Sequence, residues 1–290
     1  MRSIFLLTVL TTSLCCFRAQ GQSDFIPLEE RMIECVDGMR STDSDELRRQ
    51  YSDSLRMVII EALNSEGCLG HPFEIAQNIS ILTNKDQTVK LFNWNLPFND
   101  QTHKYFGFIL WLEDEKKGIT NWVELTDNVE DFASVENKYL TPEKWQGALY
   151  YDLIEVKKSR KKGQYILLGW DGLDALTSRK IIEVITMQKG KVRLGAPIFD
   201  YPKRRPKRFA IDYSEEVMVS LKYHSKDMRI VFDHVAPRAS GLEGNPAFYG
   251  PDLTFDCFQY DKGKWVYEAD IDITLNKDQS KRPYNDPRNR

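Results

Sequence analysis

Histidine is scarce in this chain of 290 residues. There are four, at positions 71, 103, 224 and 234, and they lie far apart with no metal-ligand spacing. Also missing are H-E-x-x-H, G-x-S-x-G, a P-loop and a G-x-G-x-x-G after a strand. The metalloprotease, serine-hydrolase, nucleotide-hydrolase and dinucleotide-binding classes therefore leave no mark here. Positive charge is not in excess, at 40 Lys and Arg against 43 Asp and Glu, which gives no support for nucleic-acid binding. Cysteine is sparse too. Cys15 and Cys16 fall near the N-terminus, which leaves Cys35, Cys68 and Cys257, an odd number at spacings that fit no metal site. Cys35 and Cys68 are the pair nearest in sequence, but an antiparallel helix pair would hold them apart. No cofactor is implied.

The N-terminus carries the most specific signal. Arg2 precedes an apolar run from Ile4 to Leu14, too short to span a bilayer. Ala19-Gln20-Gly21 puts small residues at the −3 and −1 positions, so residues 1–21 are read as a signal peptide cleaved before Gln22. A lipid anchor on Cys15 or Cys16 calls for Gly or Ala just before the cysteine. Leu14 and Cys15 stand there instead, which favours a soluble exported product. Loss of Arg2 and Arg18 moves the formal charge from −3 to −5. No later run approaches membrane-spanning length.

Residues 22–74 read as a helical segment. Leu28, Met32, Cys35, Val36 and Met39 recur at helical spacing. A second helix runs to about Leu63, capped by Asp43 with Glu46 three residues on, and its apolar stripe is Leu47, Tyr51, Leu55, Val58 and Ala62. Over residues 75–275 the period changes to two or to short apolar runs. Strands are expected at 75–82, 89–95, 105–112, 119–123, 148–156, 165–170, 180–187, 209–213, 217–223, 229–232, 253–260 and 265–271, with an acidic loop over 127–135. Short turns between strands favour antiparallel pairing. The fold class is α+β: a short N-terminal helical pair packed on a mostly antiparallel β region, either a sandwich or an incomplete propeller-like sheet array. Residues 276–290 are polar with two prolines and read as a disordered tail.

The stretch from Met228 to Asp272 is the best place for a site. RIVF at 229–232 is a buried strand, and Asp233 and His234 stand at its end. The Gly- and Pro-rich segment that follows, through Tyr249 to Asp252, reads as a loop of about 15 residues, long enough to ask for a reason. On the next strand Leu253, Phe255 and Cys257 are expected to share the apolar face, with Asp256 on the other. Asp233, His234, Asp252 and Asp256 could converge at a strand end on a cation or a polar ligand; alternatively Asp233 and Asp252 cap turns and His234 is satisfied by a neighbour. A nucleophilic Cys257–His234 pair is disfavoured by the apolar setting of the thiol. Asp171 and Asp174 sit in a D-G-x-D turn that begins like a Ca²⁺ loop, but Ala175 and Leu176 follow where oxygen ligands are needed. The basic run Lys203–Arg208 could meet phosphate head groups or acidic glycans, or be a solvated loop.

YYDLIEVKKSRKKGQYILLGWDG, with IVFDHVAP, FYGPDLTFDCF and GKWVYEADID, resembles a family of exported proteins of Bacteroidota-type bacteria. The resemblance covers roughly residues 75–272. It implies a Gram-negative periplasmic or envelope setting and, as the family has no assigned activity, transfers no functional residues. The expected function is a non-catalytic binding or structural protein of the envelope, with an envelope protein or a glycan as partner. Asp171, Asp174, Asp233, His234, Tyr249, Asp252 and Asp256 are the candidate ligand-binding residues. The alternative is a carboxylate-dependent hydrolase of envelope glycans.

Overall fold

The structure, a computed structural model, describes residues 25–129, 131–155 and 163–272. The expected signal peptide at 1–21, the expected tail at 276–290 and the basic residues 157–162 lie outside the described residues. None of the described helices is long and apolar enough to cross a membrane.

Helices α1 (Ile26–Ser41) and α2 (Asp45–Leu63) open the chain. They run antiparallel, with Arg31 paired to Glu61 at one end and Gly38 under the ring of Tyr51 towards the other. A Cβ at Gly38 would stand 2.4 Å from that ring, so a side chain here would require the Tyr51 ring or the helices to shift. The expected face of α1 is the buried one. The face of α2 is rotated from the expected stripe: Leu55, Val58, Ile59 and Ala62 are buried, while Leu47 and Tyr51 stay largely exposed. Its N-cap is Ser44, whose Oγ accepts the amide of Leu47, rather than Asp43.

Three antiparallel sheets follow in chain order. The first is a meander of β1 (Ser80–Thr83), β2 (Val89–Pro97), β3 (His103–Asp114) and β4 (Ile119–Thr126). The middle sheet holds β5 (Leu149–Glu155), β6 (Gln164–Asp171), β7 (Thr177–Gln188), β8 (Lys191–Leu194) and β10 (Phe209–Ser214), in the order β10-β7-β6-β5 with β8 paired to β7. The third runs β11 (Leu221–His224), β12 (Arg229–Pro237), β13 (Tyr249–Asp261), β14 (Lys264–Glu268), and the two-residue strand β9 (Phe199–Asp200) joins it in parallel with β14. This is the expected α+β class, and the sheets stack face to face. Phe92, Trp94 and Phe108 of the first sheet pack on the helices, and Leu91 and Ile109 face the middle sheet. On β6 and β7, Tyr165, Leu167, Ile181 and Ile185 point back to the first sheet, while Ile166, Leu168, Ile182 and Val184 point on to the third. The apolar runs of β6 and β7 are thus strands buried on both faces.

The segment at 75–79 is irregular, so the first strand is shorter than expected. The acidic stretch after β4 is not all loop: it contains the one-turn helix α3 (Phe132–Val135), which Asp131 caps by accepting the amides of Ala133 and Ser134. The three cysteines among the described residues, Cys35, Cys68 and Cys257, are buried free thiols, so no disulfide joins Cys35 to Cys68.

Most polar groups inside this stack are paired, although Arg208 Nη2, Gln146 Oε1 and the Tyr260 hydroxyl find no hydrogen-bond partner among the described residues. Glu29 of α1 lies 2.6 Å from His71 Nε2 and accepts the amides of Ile75 and Ala76 through its other oxygen. Lys90 of β2 is fully buried, and its ammonium donates to the carbonyls of Cys68 and His71. Burial pulls the Lys90 pKa down to about 8. Glu183 of β7 and Arg208, just before β10, are both fully buried, with Nε donating to Glu183 Oε2 at 2.8 Å. Arg208 Nη1 also donates to the carbonyls of Val135 and Lys138, which ties the end of α3 to the middle sheet. Removing one member of such a pair leaves an uncompensated buried charge. Glu183→Ala is expected to lower the unfolding free energy by about 3–5 kcal/mol in urea titration. The double change Glu183→Leu with Arg208→Met is expected to cost less than the single one.

Candidate functional site

A cleft of about 450 Å³ lies between the edge strand β10 of the middle sheet and the third sheet. α3 supplies Phe132 to its wall, the turn after β9 supplies Tyr201 and Arg204, and β10 supplies Phe209 to Asp212. From the third sheet come Asp233, His234, Tyr249, Asp256 and Tyr267. A second hollow of about 580 Å³ lies beyond Asp233, among Tyr151, Lys180, Met218 and Tyr223. It is larger, but its walls hold no linked polar system like that in the first.

The way the third sheet is built explains the cleft. β12 does not stop at residue 232 but continues to Pro237, and β13 already starts at Tyr249, so the connecting loop is only residues 238–248. Val235, Ala236 and Pro237 pair with Pro251, Gly250 and Tyr249. Prolines fit here because β14 pairs only with residues 257–261 of β13, so the start of β13 is an edge whose outer N–H positions are not needed. Between Asp233 and Val235 the register shifts: one residue of β12, His234, faces three of β13, Asp252 to Thr254. Leu253 takes φ +74° and is 90% exposed at the crest of this bulge. Asp252 Oδ1 holds the bend by accepting both the amide and the hydroxyl of Thr254. Past the bulge the core face of β13 is that of Phe258, with Asp256 on the same face, and not the face of Leu253 and Phe255.

The bulge puts three acidic residues around His234. Its Nδ1 lies 2.8 Å from Asp256 Oδ2, which also accepts the Tyr267 hydroxyl at 2.7 Å. Asp256 Oδ1 accepts the Asp270 amide. Since Asp256 accepts, Nδ1 carries the proton, and Nε2 faces Asp252 at 4.0 Å. The Asp256 hydrogen bond raises the His234 pKa above its ordinary value, and the charges of Asp256, Asp252 and Asp270 act in the same direction. The Thr254 hydroxyl holds the Asp252 carboxyl below the usual range. Burial and the Asp256 contact push the Tyr267 hydroxyl up. Cys257 points elsewhere, with Sγ 3.9 Å from Glu268, and burial raises its thiol to about 11, so it forms no pair with His234.

The structure thus gathers five of the seven candidates, Asp233, His234, Tyr249, Asp252 and Asp256. Asp233 accepts the Ser220 amide, joining β12 to the segment before β11, and the Tyr249 hydroxyl accepts the Gly244 amide. Asp174 is a turn cap that accepts the amides of Leu176 and Thr177. Asp171 is buried behind the cleft among Tyr105, Asp127 and Arg179. The Tyr105 hydroxyl accepts the Gly172 amide, and its own amide donates to Asp127. Burial raises Asp171 to about 7, opposed by the charge of Arg179, and raises Asp127 to about 6. Arg179 makes two bonds, at 2.5 and 2.8 Å, to Asp212, which lines the cleft. Sequence reasoning missed Tyr267, Asp212 and Tyr201, and had Arg204 only as a member of the basic run Lys203–Arg208. Tyr267 lay one strand from Asp256 across the tight turn at Lys262-Gly263, and hairpin register could have found it. Asp212 and Tyr201 come from sequence-distant segments and left no signal. Among the described residues no three His, Cys, Asp or Glu side chains form a metal-binding set.

No family model, no curated protein and no solved structure matches the chain.

Two titrations follow from this geometry. His234 has its folded-state value raised, so its charged form stabilises the fold fully below about pH 6.5, and that stabilisation is lost as pH rises through the folded-state value. NMR titration of the imidazole is expected to show the His234 value fall in Asp256→Asn; an unchanged value would remove the hydrogen bond as the cause. Asp171 is an acid with a raised value, so the fold loses stability as pH climbs from about 4 to about 7. Asp171→Asn is therefore expected to raise the melting midpoint at pH 8 relative to the native chain and to leave it nearly unchanged at pH 4.

Proposed function

We propose that this is an exported envelope protein that binds a hydroxyl-rich ligand, a glycan or a fragment of one, in the cleft between the middle and third sheets. The observation that carries it is a wall of half-buried rings, Phe132, Tyr201, Tyr249 and Tyr267, around the polar groups of Asp212, Asp233 and His234. Sugars offer apolar C–H faces to rings and hydroxyls to planar polar groups, and this wall has both. The cleft volume suits a small-ligand site, which is typically about 300–1,000 Å³. The leader pattern and the family resemblance support the exported setting.

Binding is favoured over glycan hydrolysis by how the carboxylates are used. A hydrolase needs two carboxyl groups facing one space, one of them protonated. Here Asp212 is held by Arg179, Asp233 by an amide and Asp256 by three donors. The carboxyls with raised values, Asp127, Asp152, Asp171 and Glu183, are not among the cleft walls. One observation favours the second reading: His234, oriented by Asp256, keeps Nε2 free for acid–base work. No hydrogen bond among the described residues joins Nε2 to a hydroxyl or thiol nucleophile.

The test is thermal unfolding and calorimetry of the chain from Gln22 against a panel of neutral mono- and oligosaccharides. A ligand of the folded state is expected to raise the midpoint with dose. Tyr249→Ala is expected to weaken it at least about tenfold, roughly 1.4 kcal/mol, without moving the ligand-free midpoint. A panel with no shift would sink the reading. Turnover of chromogenic glycosides that disappears in His234→Gln, with binding intact, would replace it by hydrolysis.

A further inference from the structure

Apart from Arg204, the cleft leaves unused a long cationic stretch of the chain. Residues 189–208 hold eight Lys and Arg against a single acid, Asp200, in a protein whose formal charge is −3. Arg208 is consumed by Glu183, Arg204 by Glu136, and Arg205 lies 3.6 Å from Asp200. The other cations are arranged differently. Tyr139 is 44% exposed, and two cations lie over its ring, Arg193 at 4.3 Å and Lys207 at 4.8 Å. The chain holds them there through its backbone. Leu140 and Leu194 exchange both hydrogen bonds of a bridge, which sets Tyr139 beside Arg193. The Lys207 ammonium donates to the carbonyl of Asn137, and its amide donates to the carbonyl of Glu136. Lys138 and Lys191 are exposed neighbours in sequence on the same two segments. Among the described residues none of Lys138, Lys191, Arg193 and Lys207 pairs with a carboxylate.

The ring and the Asn137 carbonyl hold these cations in place, but the like charges still repel each other and have no counter-charge among the described residues. A bound anion would relieve that repulsion. The patch presents separated point charges and a guanidinium fork, held in place by the Tyr139 ring, to the acid groups spaced along a chain of anionic sugars. A negative overall charge disfavours indiscriminate attraction of polyanions, so any such binding must come from a local surface.

We infer that Tyr139, Arg193 and Lys207 form the centre of a second binding surface, for an anionic polysaccharide bearing carboxylate or sulfate groups. It goes beyond the cleft and does not depend on it, since none of its three central residues lines the cleft.

The experiment is fluorescence anisotropy with two labelled probes, an oligogalacturonate and a heparin oligosaccharide, across a salt series. Binding is expected at low ionic strength and should weaken steeply with salt, because each neutralised acid group releases counterions. The double variant Arg193→Glu with Lys207→Glu is expected to lose at least about tenfold in affinity and to flatten the salt dependence. Arg193→Lys with Lys207→Arg keeps the charge and is expected to keep binding, which separates a charge effect from misfolding. The probe that binds names the source: oligogalacturonate a carboxylate, heparin a sulfate. Tyr249→Ala should leave both titrations unchanged, so this surface and the cleft fail or stand separately. No binding of either probe at low salt, equal binding by the charge-reversed variant, or capture only by phosphatidylglycerol vesicles would each overturn the inference.

Discussion

A sheet with apolar side chains on both faces cannot leave either face in water. β6 and β7 are such strands, and the rest of the molecule answers to them. The first sheet covers one face and the third covers the other. The first sheet then has its own outer face to hide, and the two helices do that. The order of layers follows from one requirement, applied outward from the middle. The same requirement governs the polar groups caught inside. A buried charge far from solvent must find its counterpart in the protein, so Glu183 takes Arg208, Glu29 takes His71, and Lys90 takes two carbonyls.

Helix and strand identities were largely legible because they rest on periodicity. α1 shows its face at Leu28, Met32, Cys35, Val36 and Met39, and the structure buries those residues. α2 was legible in extent but not in orientation. Tyr51 belongs to the apolar stripe by spacing, yet it is spent on contact with Gly38 and left partly in solvent. Where a tertiary contact decides, spacing alone does not. Pro237, Gly250 and Pro251 read as loop because proline breaks a ladder. They are strand here because only one side of that stretch is paired, a fact that depends on how far β14 runs.

The candidate site was legible in half. The cluster around His234 could be picked out because its members lie within 24 residues of one another on one hairpin. The assignment of faces on β13 failed at Leu253, where the bulge inserts residues and resets the alternation. The partners that make the cluster a wall rather than a turn come from elsewhere. Asp212 and Arg204 reach the cleft because β10 and the turn before it lie along the edge of the middle sheet. Sheet order places them, and local sequence carries no sheet order. Asp171 was singled out for its D-G-x-D turn, but its company is Tyr105 of the first sheet and Asp127 just after it, which the turn motif does not reveal.

The cleft wall at α3 is a single helical turn, too short to hold its shape by itself. What holds it is Arg208, whose guanidinium grips two carbonyls at its end and is itself anchored on Glu183. That arrangement narrows the routes by which the protein can change over generations. Losing either charge first strands the other in the interior and loosens the wall at the same time. Positions 183 and 208 are therefore expected to drift together or stay put, however freely the loops around them vary.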